Sequence, residues 1–163
     1  MKMTLLICFA LFAGSYAQGQ SVLKPEEITK LVPAEFKGYY EDGDSKSSLI
    51  KMGDIRYSLC ERRFTRTKQK IKILLFDYKE APIMYKQAMR KWNNEIIETD
   101  TLILRHIEQE NCTGWESYNK QAGTAQIFLG ICDRFFLMIS GENVELASLQ
   151  DVLATFPFQT YPK

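Results

Sequence analysis

The second half of the chain places the strongest constraint on the fold. Between Thr101 and Ser140, four strand-like segments follow one another with short connections, at residues 101–108, 114–120, 124–131 and 134–140. Neighbouring strands in such a run favour antiparallel pairing, so the pattern predicts a meander.

The first half adds one helix and one β-hairpin. Pro25 sits where a first helical turn tolerates proline, and apolar residues follow at helical spacing until Pro33 ends the segment, so residues 25–32 are predicted as a short helix. Apolar and polar residues alternate over 55–65 and again over 69–78, which predicts two paired strands.

Two further helices complete the predicted order. Residues 82–94 begin at Pro82 and carry Tyr85, Ala88, Met89 and Trp92 at helical spacing, and the apolar positions from Val144 to Phe156 predict a last helix. The resulting order, αββαββββα, predicts one α+β domain in which helices pack on the faces of a mainly antiparallel sheet.

The first seventeen residues have the features of a secretory signal peptide. Lys2 gives a positive start, Leu5–Phe12 form a short apolar stretch, and Ser15, Tyr16 and Ala17 form a small-x-small cleavage signal. We therefore expect a signal peptide at 1–17, a single domain at 18–163, and a secreted or periplasmic location with no membrane-spanning segment after cleavage.

The charge balance argues against nucleic acid as a partner. The chain has 21 Lys and Arg against 20 Asp and Glu, and the predicted signal removes Lys2 but no acid. Proteins that bind nucleic acids or anionic membranes in general do so mainly through excess basic residues. We expect a partner in the envelope or outside the cell, of unknown identity.

This element order resembles the MOG1/PsbP-type α/β folds. The segment "LKPEEITKLVPAEFKGYY" at 23–40 is also similar to the start of small uncharacterised bacterial exported proteins. The resemblance covers most of the chain after the signal by element order and contains no specific motif. It implies a fold that hosts binding and accessory proteins more often than enzymes, and it assigns no functional residue.

Three cysteines follow the predicted signal: Cys60, Cys112 and Cys132. An oxidising compartment favours one disulfide and one remaining thiol. In a meander the connections that carry Cys112 and Cys132 fall at the same end of the sheet, so these two are predicted to pair. The link would contribute roughly 3 kcal/mol in the chain-entropy model.

The predicted hairpin is the first candidate binding site. Its segment from Glu61 to Lys72 carries one acid, Glu61, and a group of cations whose candidate anion-binding members are Arg62, Arg63, Arg66 and Lys68. The alternative is a solvated hairpin whose lysines discourage edge-to-edge aggregation.

Aromatic residues suggest a second site. Most of them fall at core spacing, but Tyr39, Tyr40, Trp115 and Tyr118 are candidates for lining a ligand cleft, with packing in the core or at its rim as the alternative.

No motif assigns an enzymatic activity. The chain has one histidine, His106, and no CxxC pair, so we expect no metal and no cofactor. Nothing near the cysteines marks an activated thiolate, and His106 is placed in a predicted strand. The sequence therefore favours a non-enzymatic exported domain that binds a small ligand or a protein partner. The alternative is a hydrolase that uses carboxylates in a cleft at a sheet end.

Overall fold

The computed structural model describes residues 21–90, 96–109 and 111–163, and within them nine strands form one antiparallel sheet. The strands are β1 Tyr40–Glu41, β2 Lys46–Met52, β3 Ile55–Arg66, β4 Gln69–Glu80, β5 Ile97–Glu98, β6 Leu102–Gln109, β7 Cys112–Asn119, β8 Thr124–Ile131 and β9 Phe135–Glu142. Their order is β1-β3-β4-β9-β8-β7-β6-β5, and β2 also pairs with β3. The predicted mainly antiparallel sheet is thus confirmed.

Helices cover both faces of this sheet. The helices are α1 Pro25–Thr29, α2 Pro82–Arg90 and α3 Leu146–Leu153, followed by a short 3-10 turn at Phe158–Thr160. One face, which we call the core face, carries the fully buried Ile71, Ile73 and Leu75 of β4, and α1 and α3 pack on that side. The other, the α2 face, carries Phe76 and Phe136 and is contacted by α2.

The structure differs from the predicted order mainly at the edges of the sheet. It adds β1 and β2 beside β3, and β5 beside β6, to the strands expected from the sequence. Most residues of these three strands are exposed, so they lack the apolar alternation that reveals a half-buried strand. The predicted signal at 1–17, and Trp92 in the predicted helix 82–94, lie outside the described residues.

A buried ion pair fastens both ends of the described chain to the sheet. Arg134 donates from Nε and Nη2 to the carboxylate of Asp77 at 2.8 and 2.7 Å, and both side chains are almost completely buried. Asp77 also accepts a hydrogen bond from the Leu23 amide at 2.8 Å. Arg134 donates further to the carbonyls of Ser21 and Lys163 at 3.2 and 3.4 Å. We call this group the Asp77–Arg134 clamp.

Candidate functional site

Two cavities flank helix α3 on opposite sides. Ser148, Asp151, Val152 and Thr155 line the first, whereas Gln150, Leu153 and Ala154 line the second. Residues three to four apart share one side of a helix, so each set forms a separate stripe. We name the first the Tyr39–Arg66 pocket and the second the Glu116 cleft.

The Tyr39–Arg66 pocket has a volume of about 470 Å³ and combines an apolar floor with a cationic rim. Phe36 and Val152 are buried at 6% and 3% exposure and form the floor. Lys37 and Arg66 supply positive charge, and Asp151 is the acid in the lining. The pocket can therefore accommodate an apolar group beside an anionic one.

Gln69 holds the two characteristic side chains of this pocket together. Its Oε1 accepts hydrogen bonds from Arg66 Nε at 2.8 Å and from the Tyr39 hydroxyl at 3.1 Å. The Arg66 guanidinium carbon consequently lies 4.7 Å from the centroid of the Tyr39 ring, which is a cation–π distance. Gly38 lies beside the arginine at φ +80°, a backbone conformation that favours glycine.

The other cations of the predicted anion site are in different situations. Arg62 is 9% exposed and donates to Glu41 at 3.2 Å, while Arg63 forms an ion pair with Glu61. Lys68 is exposed at the tip of the hairpin. Of these four predicted residues, the structure places Arg66 in the pocket, where it meets Tyr39 from the predicted aromatic set.

The remaining members of the predicted aromatic cleft are dispersed. Tyr40 is 75% exposed on β1. Trp115 and Tyr118 lie on β7, which is five strands from β1 in the sheet. Their side chains point to opposite faces of the sheet, because they are an odd number of residues apart. Trp115 is 7% exposed and makes an edge-to-face contact with His106. The structure therefore does not bring these three residues to Tyr39.

The sequence did not predict the Glu116 cleft. It has a volume of about 600 Å³ and lies between strand β6, helix α3 and the 3-10 turn. Glu116 is 6% exposed in it, and its Oε2 accepts a hydrogen bond from Gln150 Nε2 at 2.8 Å. One signal was present: Glu116 falls on the buried register of β7, shared with Cys112 and Gly114, where a charged residue is unusual.

The register of the sheet places Cys112 and Cys132 in adjacent segments. The Cys132 amide donates to the carbonyl of Asn111 at 2.9 Å, and both cysteines line one small cavity beside Tyr85. Burial raises the pKa of the Cys112 thiol to about 11, and the neighbouring Cys132 adds to this rise. Both are thiols in the structure, so their pairing stays a prediction.

Two further kinds of feature are absent from residues 21–90, 96–109 and 111–163. No helix there is long and apolar enough to cross a membrane. Within the same ranges, no three His, Cys, Asp or Glu side chains come together as a metal-binding group.

The chain matches no protein-family model and no curated protein. A solved structure described as a GTP binding regulator from Thermotoga maritima is 13% identical, and the match covers 76% of this chain and 79% of that chain with a TM-score of 0.44. A likeness this distant carries no argument about the function of this chain.

Proposed function

We propose that this protein is an exported, non-enzymatic domain that binds a small anionic ligand with an apolar body in the Tyr39–Arg66 pocket. The signal-like features of residues 1–17 support export to a secreted or periplasmic location. The arrangement of Arg66 supports the anionic ligand.

Arg66 differs from the other arginines of the hairpin in its partners. Arg62 and Arg63 are each neutralised by a carboxylate, whereas within the described ranges Arg66 contacts a neutral ring and a neutral amide. Its Nε is used by Gln69, which leaves the Nη donors for a planar anion such as a carboxylate. A guanidinium fixed in this way loses little freedom when it binds.

The shape of the pocket supports a small molecule. A volume of about 470 Å³ falls within the range of roughly 300–1,000 Å³ that is typical of ligand sites. The floor formed by Phe36 and Val152 would receive the apolar part of the ligand, while Arg66 and Lys37 at the rim would receive the charge. A protein partner that presents a carboxylate beside an apolar side chain would use the same chemistry.

The proposal is tested by titrating the protein with benzoate, followed by NMR chemical shifts. Arg66→Gln should weaken benzoate binding by about tenfold or more, because it removes a charge-assisted hydrogen bond worth about 1.5–3 kcal/mol. The matched control is Arg63→Gln, which removes the same charge from an arginine already paired with Glu61 and should change the affinity by less than about threefold. Equal weakening by both variants, or no binding by the wild type, would refute the assignment.

A hydrolase is the second candidate, and one observation favours it. Glu108, Glu116 and His106 all contribute to the lining of this cleft, although the strand register places the side chains of Glu108 and His106 on the sheet face opposite to that of Glu116. Glu108 is exposed, and Glu116 is buried and bonded to Gln150. If the protein is a hydrolase, it should hydrolyse a glycoside or an ester, and the Glu116→Gln variant should have lost that activity. A binding domain would leave such substrates intact.

A further inference from the structure

The Glu116 cleft contains a buried carboxylate for which the structure shows no counter-charge. Among the residues that the structure describes, Gln150 supplies the hydrogen bond that Glu116 accepts, at Oε2, and Oε1 accepts none. No described cation lies within ion-pairing distance of the Glu116 carboxylate. Buried charges in proteins are normally paired, so this carboxylate lacks an expected partner.

The cation directly opposite Glu116 in the strand register is paired with another carboxylate. Arg105 stands directly opposite Glu116 across the β6–β7 pair. Its Nη2 donates to Glu98 Oε1 at 2.9 Å, and it is not part of the lining of the cleft. Among the described residues, the lining has two acids, Glu108 and Glu116, and includes neither Lys nor Arg.

Aromatic and aliphatic side chains form the rest of the cleft wall. Phe156 and Phe158 stack with their centroids 5.7 Å apart and an interplanar angle of 14°. Ile107 and Leu153 lie in the same lining. Aromatic faces attract cations through the ring quadrupole, in addition to the apolar area they offer.

From these observations we infer that the Glu116 cleft is a second ligand site, separate from the Tyr39–Arg66 pocket, that binds an organic ammonium ion. The ammonium group donates to the free oxygen of Glu116, and the apolar body of the ligand lies along Phe156 and Phe158. The two sites have opposite charge preference and lie on opposite sides of α3.

The test uses benzylamine as a cationic probe and benzyl alcohol as its neutral analogue, each titrated against the protein and followed by NMR chemical shifts. Benzylamine should bind at least about tenfold more tightly than benzyl alcohol, with shifts centred on β7 and α3. Glu116→Gln keeps the size of the side chain and should reduce benzylamine affinity by about tenfold or more. Glu26→Gln, which removes one exposed acid on α1, should leave the affinity unchanged.

Three outcomes would overturn the inference. They are equal binding of the amine and the alcohol, unchanged amine affinity in Glu116→Gln, and shifts confined to residues outside the cleft. Because the comparison of the two probes uses the wild-type protein, it decides the question even if the variant does not fold.

Discussion

At the scale of single residues, the environment of Cys112 governs how a disulfide with Cys132 would form. Exchange proceeds through the thiolate, and the pKa of about 11 keeps this thiol protonated at neutral pH. We therefore expect slow uncatalysed oxidation, which becomes faster as the pH rises toward that pKa. Bond formation in a cell would depend on an oxidising compartment.

Peptide mapping under non-reducing conditions should show one Cys112–Cys132 link in protein produced in an oxidising compartment. Reduction should then lower the stability of the wild type by roughly 2–5 kcal/mol, because it removes a constraint on the unfolded chain. Urea unfolding with and without dithiothreitol measures this difference. Cys132→Ala is the control and should show no effect of the reductant. Three free thiols in protein taken from an oxidising compartment would contradict the prediction.

Residue types alone could not tell which arginine of the hairpin is available. The sequence pointed to Arg62, Arg63 and Arg66 together, because they are close in the chain. Glu41 reaches Arg62 through the pairing of β1 with β3, Glu61 lies two residues before Arg63 on the same strand, and Gln69 meets Arg66 across the β3–β4 turn. Arg62 and Arg63 each have a carboxylate partner, whereas the partner of Arg66 is a neutral amide. The type of partner therefore determines which of these arginines is available to a ligand.

At the scale of secondary structure, helix α2 packs two of its side chains directly on one glycine of β8. A Cβ built on Gly130 would lie 2.4 Å from the Tyr85 hydroxyl and 2.8 Å from both Sδ and Cε of Met89. Both groups are the far ends of flexible side chains, so an added Cβ would displace them without moving the backbone of α2.

Gly130→Ala should destabilise the protein by about 1 kcal/mol, the low end for an overpacked site, since the added methyl group displaces only the flexible ends of the Tyr85 and Met89 side chains. An alanine in an ordinary strand position would be slightly stabilising relative to glycine, so the sign itself is informative. Thermal or urea unfolding measures the change. Gln126→Ala, at an exposed position of the same strand, should stay within about 0.5 kcal/mol. A neutral Gly130→Ala would show that α2 is not held at this distance.

Elements with a buried face could be predicted from the sequence, and elements at the edges could not. Strands β3, β4 and β6 to β9 alternate because one face of each packs on the core, and their bounds fall close to the predicted ones. Strands β1, β2 and β5 are short or largely exposed. They are strands because they pair with a neighbouring strand, and the residue pattern does not encode that pairing.

At the scale of the whole molecule, each proposed site combines segments that are distant in the chain. The Tyr39–Arg66 pocket takes residues from the 36–39 loop, the β3–β4 hairpin and α3. The Glu116 cleft takes them from β6, β7, α3 and the 3-10 turn. Sequence spacing cannot reveal such groups, although it does identify Tyr39 and Arg66 individually.

The Asp77–Arg134 clamp should be a large contributor to stability. Arg134→Met leaves Asp77 buried without its partner and should cost about 3–5 kcal/mol of unfolding free energy. The double variant Asp77→Leu with Arg134→Met removes both charges and should cost clearly less than Arg134→Met alone. Urea unfolding of the three proteins gives the comparison. A double variant as unstable as the single one would show that the hydrogen bonds to the chain ends, and not the unpaired charge, dominate.

The clamp also bears on how the connectivity of the chain could be changed. One guanidinium reaches the carbonyls of both Ser21 and Lys163, so these two residues are close neighbours in space. A short peptide could join them, and a new start could be opened at the β2–β3 turn, where Gly53 has open space around it. The fold is therefore suited to circular permutation, in which connectivity changes while the sheet and both cavities are retained.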